Sequence, residues 1–387
     1  MSQLKVNAIR HTGASSDAVT LASDGTCTAK ITNRSSNLII NGAMNVAQRS
    51  TAAVTNDGIR TVDRFYLGYG GTDEFITQAQ HALTSSDTGP WEKGFRNSFQ
   101  VTNGNQTSGA GATDYVFVRQ KVEAQNMANS GWDYTSASSY ITLSFWVKAS
   151  VAQDYQGWLY TSDGTAQGYA FTFALSANTW TKVTKTIPGN SNIQFDNNNG
   201  EGLEVVVGAF VGTNYTSSSG GAETWGAWSG TATRKDMTST WWTTNDATFE
   251  ITGVQLEVSD HATEFEMRSY GDELTRCQRY YYAIKGDTND QPGISGSAWG
   301  SNYVVFTIRH PVEMRANPSF SGTGNCRFQS QNDSAAIAIT DMGVNNAPTQ
   351  FAGITIQRYG TSGATAGAGG NFQFQTDGAE LTFSAEL

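Results

Sequence analysis

The segment TLSFWVKAS, residues 142–150, alternates between two kinds of side chain. Leu143, Phe145 and Val147 occupy one phase, while small hydroxyls and a lysine occupy most of the other. An alternation with a period of two is typical of a strand that buries one face. Trp146 is the exception, because it places a large aromatic ring in the phase that would face solvent. The segment therefore predicts a half-buried β-strand with one tryptophan on its outer face.

Comparable runs recur from residue 37 onward, separated by turns of Gly, Ser, Asn and Thr. Among them are YVFVRQKV (115–122), YAFTFAL (169–175) and LEVVVGAFV (203–211). Many short strands separated by such turns, without helical periods between them, predict an all-β fold, namely an antiparallel jelly-roll sandwich. In FEITGVQLEV (249–258) the alternation changes phase near Gly253, which predicts a β-bulge there.

The chain divides into three segments on these patterns. Residues 1–36 alternate only in short bursts that cannot bury a face alone, which predicts an attachment segment that needs a partner. Residues 37–268 carry the jelly roll. Ser269 as an N-cap, with Asp272 and Glu273 in the first turn, predicts one short linker helix. This helix opens the third segment, 269–387, which also holds a smaller C-terminal β domain.

The charge and composition exclude several classes of partner. The net charge is −10 and lysines and arginines form no block, which argues against a nucleic acid or an anionic membrane as a partner. No apolar run is fit for a signal peptide or a membrane span. Cys27, Cys277 and Cys326 are odd in number and widely spaced, so we expect thiols rather than disulfides or a zinc site.

No catalytic motif stands out in the sequence. The histidines lie too far apart for a metal site, and neither a G-x-S-x-G elbow nor a phosphate-binding glycine loop is present. Two carboxylates across a cleft would suffice for a polysaccharide depolymerase, so that alternative stays open. The candidate pairs are Asp196 with Glu201 or Glu204, and Asp246 with Glu250. A chain with 34 Asp and Glu residues offers such pairs in any case, so we expect no enzyme and no catalytic residues.

The segment DNNNGEGLE (196–204) resembles a calcium loop in composition, but its glycine does not fall where an EF-hand turn needs it. We therefore favour an asparagine-rich turn at this place.

Four tryptophans lie in a polar, turn-rich stretch, YTSSSGGAETWGAWSGTATRKDMTSTWWTT (215–244). They are Trp225, Trp228, Trp241 and Trp242. Sugars stack their C–H faces on indole rings and need polar groups beside them, so this stretch predicts glycan contacts. Structural packing is the alternative for each ring. The adjacent pair would point to opposite faces of a strand, which would turn at least one ring away from its own core.

Trp146 could line a sheet face that binds sugars, or it could pack against a neighbouring chain. Covering a large ring contributes about 25 cal/mol per Å² of apolar surface, so we favour packing between chains.

Several motifs, taken in order, resemble those of tail-fibre and related virion appendage proteins of bacteriophages, marine ones included. The motifs are NLIINGAMNVAQRST (37–51), DRF (63–65), TLSFWVKAS (142–150), ITGVQLEV (251–258), ATEFEMRSYGDELTRCQRYYY (262–282), PVEMRANPSF (311–320) and the terminal AEL (385–387). The resemblance implies a carbohydrate-binding-like jelly roll, a smaller C-terminal β module and a homotrimer. It also implies docking onto another virion protein through residues 1–36, and host-cell surface glycans as the receptor. It implies no cofactor, although similar folds leave a structural calcium open.

We therefore expect a non-catalytic virion protein, a tail fibre that adsorbs to host glycans. Assembly in the host cytoplasm and release by lysis would explain a protein that works outside the cell without an export signal or disulfides. The alternatives are a capsid decoration or head fibre, and then the depolymerase.

Overall fold

The computed structural model describes residues 6–10, 12–13, 17–29, 37–330, 337–341, 350–351, 354–361 and 363–387. The described chain is all-β with short helices, as the sequence predicts. The first strands, in chain order, are β1 (Ala8–Ile9), β2 (Val19–Leu21), β3 (Cys27–Ala29), β4 (Tyr66–Gly70), β5 (Thr77–Ala82), β6 (Asn97–Thr102), β7 (Tyr115–Glu123), β8 (Tyr140–Ala149), β9 (Gln153–Thr161), β10 (Gln167–Leu175), β11 (Thr181–Pro188) and β12 (Glu201–Val211). They are followed by β13 (Thr216–Ser217), β14 (Gly226–Ala227), β15 (Arg234–Lys235) and β16 (Thr248–Glu257).

Ten strands follow in the C-terminal part. They are β17 (Tyr281–Gly286), β18 (Ser295–Gly300), β19 (Tyr303–Arg309), β20 (Ser319–Thr323), β21 (Cys326–Ser330), β22 (Ile337–Asp341), β23 (Gln350–Phe351), β24 (Ile354–Thr361), β25 (Gly369–Phe374) and β26 (Ala379–Ser384). The helices are α1 (Ala124–Ala128), α2 (Thr240–Thr243) and α3 (Tyr270–Gln278), together with a 3-10 turn at Thr213–Tyr215.

Two antiparallel sheets form the jelly-roll sandwich. The six-stranded sheet has the order β14-β10-β9-β12-β7-β4, and the five-stranded sheet has the order β11-β8-β16-β6-β5. Rings from both sheets meet in one core: Phe145 lies 5.7 Å from Phe173, and Tyr155 lies 5.4 Å from Phe249, between ring centroids. The remaining described strands of the first part are β1-β2-β3 and the parallel pair β13-β15.

Three local predictions are confirmed. Along β8, the side chains of Leu143, Phe145 and Val147 are fully buried, but the strand is not half-buried as predicted, because Thr142 and Ser144 of the other phase are buried as well. The register between β16 and β8 slips between Thr252 and Gln255, where Gly253 has φ +61°, so the predicted bulge is present. At α3, the Ser269 hydroxyl accepts a hydrogen bond from the Asp272 amide at 3.2 Å, as an N-cap does.

The C-terminal part contains a small closed barrel. Strands β19-β18-β25-β21-β22-β24 form a ring of six that closes through the pairing of β24 with β19, and β23 extends it at β24. A second sheet, β17-β26-β20, packs with the barrel around one core that includes Phe306, Phe328, Phe372 and Phe383. Closure removes the exposed edges that an open sheet would present.

A network of charges and rings joins the two parts. Arg279, directly after α3, donates from Nε and Nη2 to the fully buried Glu123 at the end of β7, at 2.8 and 2.9 Å. The Tyr280 hydroxyl donates to the same carboxylate. The guanidinium of Arg64 covers the Tyr280 ring at 3.5 Å and pairs with Glu386 near the C-terminus. The RYYY, DRF and AEL motifs of the resemblance thus build the joint between the β parts.

The same joint holds a buried acid. Asp63 accepts hydrogen bonds from the amide and side chain of Gln48 and pairs with Arg49 at 3.5 Å. Burial raises the pKa of Asp63 to about 6 against the opposing pull of Arg49 and Gln48. The described helices include none that is long and apolar enough to cross a lipid bilayer.

Candidate functional site

The outer face of the six-stranded sheet carries a row of aromatic rings. Side chains alternate along β7, so Val116 and Val118 enter the sandwich core while Tyr115 and Phe117 project outward, only partly covered. We call this row the aromatic strip. Its members, from β4, β7, β9 and the insertion between β12 and β16, are Tyr66, Tyr115, Phe117, Trp158, Tyr160 and Trp228.

Glycines on neighbouring strands make room for these rings. A Cβ atom at Gly68 would lie 2.5 Å from the Phe117 ring, and one at Gly168 would lie 2.5 Å from the Trp228 ring. Both distances are too short for any real side chain. Each ring therefore lies against the bare backbone of a glycine and covers it. The strip is a broad layer of rings laid along the sheet, in which Trp158 is buried and the other five rings are partly exposed.

The rings of the strip contact one another. Tyr115 and Phe117 are stacked, with centroids 5.6 Å apart and planes inclined by 19°. Phe117 meets Trp158 edge-on at 6.1 Å, and Tyr160 meets Trp228 edge-on at 5.0 Å. Such contacts hold rings in fixed orientations. The strip is therefore prepared to stack against a flat ligand with little loss of side-chain freedom.

Charged side chains form a rim along one side of the strip. Arg119 donates to Glu204 at 2.9 Å, and its guanidinium covers the Tyr66 ring at 4.4 Å. Lys121 pairs with Glu201 at 2.5 Å and with Glu204 at 3.5 Å. Burial raises the pKa of Glu204, and the nearby cations oppose that rise. The rim offers both hydrogen-bond donors and acceptors next to apolar rings.

A pocket of about 200 Å³ lies at the end of the strip where Tyr115 stands. Its lining residues are Tyr115, Phe117, Val211, Tyr215 and Arg234. A volume of this size suits one sugar ring rather than an enclosed oligosaccharide.

The four predicted tryptophans of the insertion have different places. Trp228 belongs to the strip and is partly exposed. Trp225 is partly buried; its indole nitrogen donates to the Pro188 carbonyl at 2.7 Å and its ring packs on Tyr169 at 5.5 Å. Trp225 therefore anchors the insertion to the sandwich, and a glycan contact at this ring stays a prediction.

The prediction for Trp241 and Trp242 is wrong, because both rings are fully buried and no glycan can reach them. They lie on the short helix α2 and not on a strand, so the expectation of opposite faces does not apply. Both indole nitrogens are satisfied, with Trp241 donating to the Thr248 carbonyl at 3.1 Å and Trp242 donating to the Gly109 carbonyl at 2.8 Å. These rings close one end of the core.

Trp146 is partly covered by its own chain. A Cβ atom at Gly89 would lie 2.7 Å from the Trp146 ring, so the loop before β6 packs on it. Phe95 and Phe265 join the same small cluster and line a pocket of about 200 Å³ beside the ring. Part of the ring remains exposed, and contact with a second chain stays a prediction.

The carboxylates considered for catalysis are already engaged by other groups. Buried Glu250 contacts Lys148 Nζ and His81 Nδ1, each at 3.0 Å, and accepts from the Ser98 hydroxyl at 2.8 Å. Its suggested partner Asp246 is exposed in a turn. Glu201 and Glu204 pair with the cations of the rim described above. That the protein has no enzymatic activity stays a prediction.

The asparagine-rich loop at residues 196–200 is held by hydrogen bonds of its own polar groups, and a structural calcium stays a prediction. The Asp196 amide donates to Asp163 at 2.9 Å, the Asn198 side chain accepts from the Gly200 amide at 2.7 Å, and the Asn199 side chain donates to a backbone carbonyl. These bonds build a turn. Within the described ranges, no three His, Cys, Asp or Glu side chains gather as metal ligands.

Most members of the strip were not predicted from the sequence. A signal was present in YVFVRQKV, where Tyr115 and Phe117 share the phase of Arg119 and Lys121. Two aromatic rings in the polar phase of a strand are the same kind of exception as Trp146. The glycines of LGYG (67–70) lie opposite these two rings and make room for them. The sequence alone could not match glycines to rings, because the match depends on the pairing of β4 with β7.

No protein-family model and no curated protein matches the chain. Among solved structures, the enzymatically active domain of tailspike protein 4 from bacteriophage CBA120 is similar over 58% of this chain and 21% of that chain, with 12% identity and a TM-score of 0.32. The N-terminal cellulose-binding domain of Cellulomonas fimi β-1,4-glucanase C is similar over 55% of this chain and 98% of that chain, with 10% identity and a TM-score of 0.27. The family 11 carbohydrate-binding module of Clostridium thermocellum is similar over 54% and 98%, with 9% identity and a TM-score of 0.26. The chain thus spans about a fifth of the tailspike domain that it matches.

Proposed function

We propose that this protein is a non-catalytic, glycan-binding component of a bacteriophage particle, a tail fibre that adsorbs to glycans on the host surface. The observation that carries the binding function is the aromatic strip, with its rings laid over glycines and a charged rim beside them. Pyranose rings present flat C–H faces that stack on aromatic rings, while their hydroxyls bond to polar side chains at the edge. The strip supplies both kinds of group on one partly exposed face.

The assignment to a phage particle is supported by the sequence motifs of the resemblance, several of which build the joint between the two β parts. Under this proposal residues 1–36 dock onto another virion protein, and the protein is a homotrimer. It is assembled in the host cytoplasm and leaves the cell by lysis. Sedimentation equilibrium of the purified chain tests the trimer, and a monomer at micromolar concentration would contradict it.

The binding function is tested on an array of bacterial surface polysaccharides probed with the full chain and single variants. We expect Phe117→Ala and Trp228→Ala to weaken binding by about tenfold each, which corresponds to about 1.4 kcal/mol for one stacked ring. Trp299→Ala is the matched control, since Trp299 is 61% exposed on β18 of the C-terminal part and does not belong to the strip. Unchanged binding in both strip variants would refute the proposed site.

A further inference from the structure

Arg234 occupies an unusual position beside the strip. Its guanidinium lies among three aromatic rings, with Cζ at 5.0 Å from the centre of Trp158, 5.2 Å from Trp228 and 5.7 Å from Tyr215. The same side chain lines the pocket at the end of the strip. A cation surrounded by ring faces is stabilised by their quadrupoles, but it has given up much of its hydration.

This cation has no acidic partner among the residues that the structure describes. Nε donates to the Tyr215 carbonyl at 3.0 Å and Nη2 donates to the Gly230 carbonyl at 2.7 Å. Nη1 donates to no described residue. Burial lowers the pKa of Arg234 to about 10, which leaves the group charged at neutral pH. By contrast, Arg119 in the adjacent rim is neutralised by Glu204.

An unpaired, partly buried charge is unfavourable unless something compensates it. The hydrogen bonds to the carbonyls of Tyr215 and Gly230 hold the insertion in place, and they leave Nη1 of the guanidinium without a described partner. The guanidinium lines a pocket whose other walls include the rings of Tyr115, Phe117 and Tyr215. A guanidinium with a free donor in a pocket of aromatic rings is suited to a carboxylate, which accepts several hydrogen bonds at once.

We infer that the glycan bound by the strip contains an acidic sugar, of the uronic or sialic acid class, whose carboxylate lies on Arg234 in this pocket. The inference rests on the proposed function and specifies its substrate class. The net charge of −10 repels a polyanion at long range, but salt at about 0.1 M screens exposed charges beyond about 10 Å. A carboxylate in the pocket is therefore governed by the local cation and rings.

The test compares acidic polysaccharides with their own neutral derivatives. Polygalacturonate, alginate, hyaluronan and polysialic acid are each titrated into the full chain, before and after chemical reduction of the carboxyl groups to alcohols. We expect at least one acidic form to bind and its reduced form to bind at least about tenfold more weakly, as the loss of a charge-assisted hydrogen bond requires. Equal affinity for the acidic and reduced forms would overturn the inference.

Variants locate the effect. Arg234→Gln should remove most of the preference for the acidic form over the reduced form, and Arg234→Lys should retain part of that preference. Lys235→Gln is the matched control, since Lys235 is exposed and next in sequence. Equal loss for both forms in Arg234→Gln would assign Arg234 a structural role only and overturn the inference. If that variant fails to fold, the comparison of acidic and reduced forms on the unaltered chain decides alone.

The outcomes separate this inference from the function on which it rests. If polysaccharides bind without preference for carboxylates and Phe117→Ala weakens binding, the glycan-binding function stands and the acidic class is wrong. If neither the acidic polysaccharides nor the surface-polysaccharide array shows binding, both fail.

Discussion

The Phe117 ring lies directly against the backbone of Gly68, where an added Cβ atom would come within 2.5 Å of it. The two residues are also direct partners in the pairing of β4 with β7. The Phe117 ring can lie along the sheet here because Gly68, the residue opposite it, has no side chain. Gly68 therefore shapes the binding surface although it offers no side-chain group for a ligand to contact.

Gly68→Ala tests this relationship. The new methyl group would push the Phe117 ring off the sheet, so we expect a loss of about 1–2 kcal/mol in the free energy of unfolding and weaker glycan binding. Urea denaturation and a polysaccharide titration measure the two effects. Gly226→Ala is a suitable control, because a Cβ atom there has no heavy atom within 4 Å. Wild-type glycan affinity in Gly68→Ala would show that binding does not depend on the Phe117 ring lying along the sheet.

Trp241 and Trp228 should respond in opposite ways to truncation. Trp241 is fully buried, so Trp241→Ala should lower the free energy of unfolding by about 3–5 kcal/mol. Trp228 is partly exposed, so Trp228→Ala should lower stability less and glycan affinity more. Thermal unfolding and titration of both variants check this contrast. A Trp241→Ala protein that stays stable but loses binding would restore the role first expected of that residue.

The joint between the β parts depends on Glu123. Its carboxylate is fully buried and is bonded by Arg279 and Tyr280, which lower its pKa although burial alone would raise it. Glu123→Gln leaves Arg279 without its counter-charge, so we expect a loss of about 2–4 kcal/mol in the free energy of unfolding. Urea denaturation gives the value. Glu264→Gln is the control, since the pair of Glu264 with Lys93 is exposed and should contribute little. Similar stability in the two variants would contradict the importance of the joint.

His310 should make the C-terminal part sensitive to acid. It is buried against Tyr282, whose hydroxyl lies 2.7 Å from its Nδ1, and burial lowers its pKa from 6.5 to about 4. The unfolded chain therefore binds a proton at higher pH than the native protein does. The contribution of His310 to the free energy of unfolding is fully present above about pH 6.5. It is lost as the pH falls toward 4, by up to about 3 kcal/mol.

The variant His310→Gln isolates this effect. Asp63 contributes in the opposite direction, because its raised pKa makes stability fall as the pH rises toward 6, but that contribution is common to both proteins. The free energy of unfolding between pH 4 and 6.5 should depend less steeply on pH in His310→Gln than in the unaltered chain. Parallel curves would mean that folding does not change the pKa of His310.

The predictions that succeeded depend on short segments. The burial of Phe145, the bulge at Gly253 and the cap at Ser269 are each determined by a few neighbouring residues. The prediction for Trp241 and Trp242 failed because a single helical turn in a polar stretch leaves no periodic signal. The strip was missed for a different reason. Its rings come from three strands and an insertion, and the glycines beneath them are identified only by strand pairing.

Fluorine NMR of the chain labelled with 5-fluorotryptophan tests the location of the binding site most directly. The protein has 10 tryptophans, and single Trp→Phe substitutions assign their signals. Titration with a polysaccharide that the protein binds should shift the signal of the partly exposed Trp228 and leave those of the buried Trp241 and Trp242 unchanged. Shifts confined to Trp146 or Trp299, with Trp228 unchanged, would show that glycans bind elsewhere and that the aromatic strip is not the site.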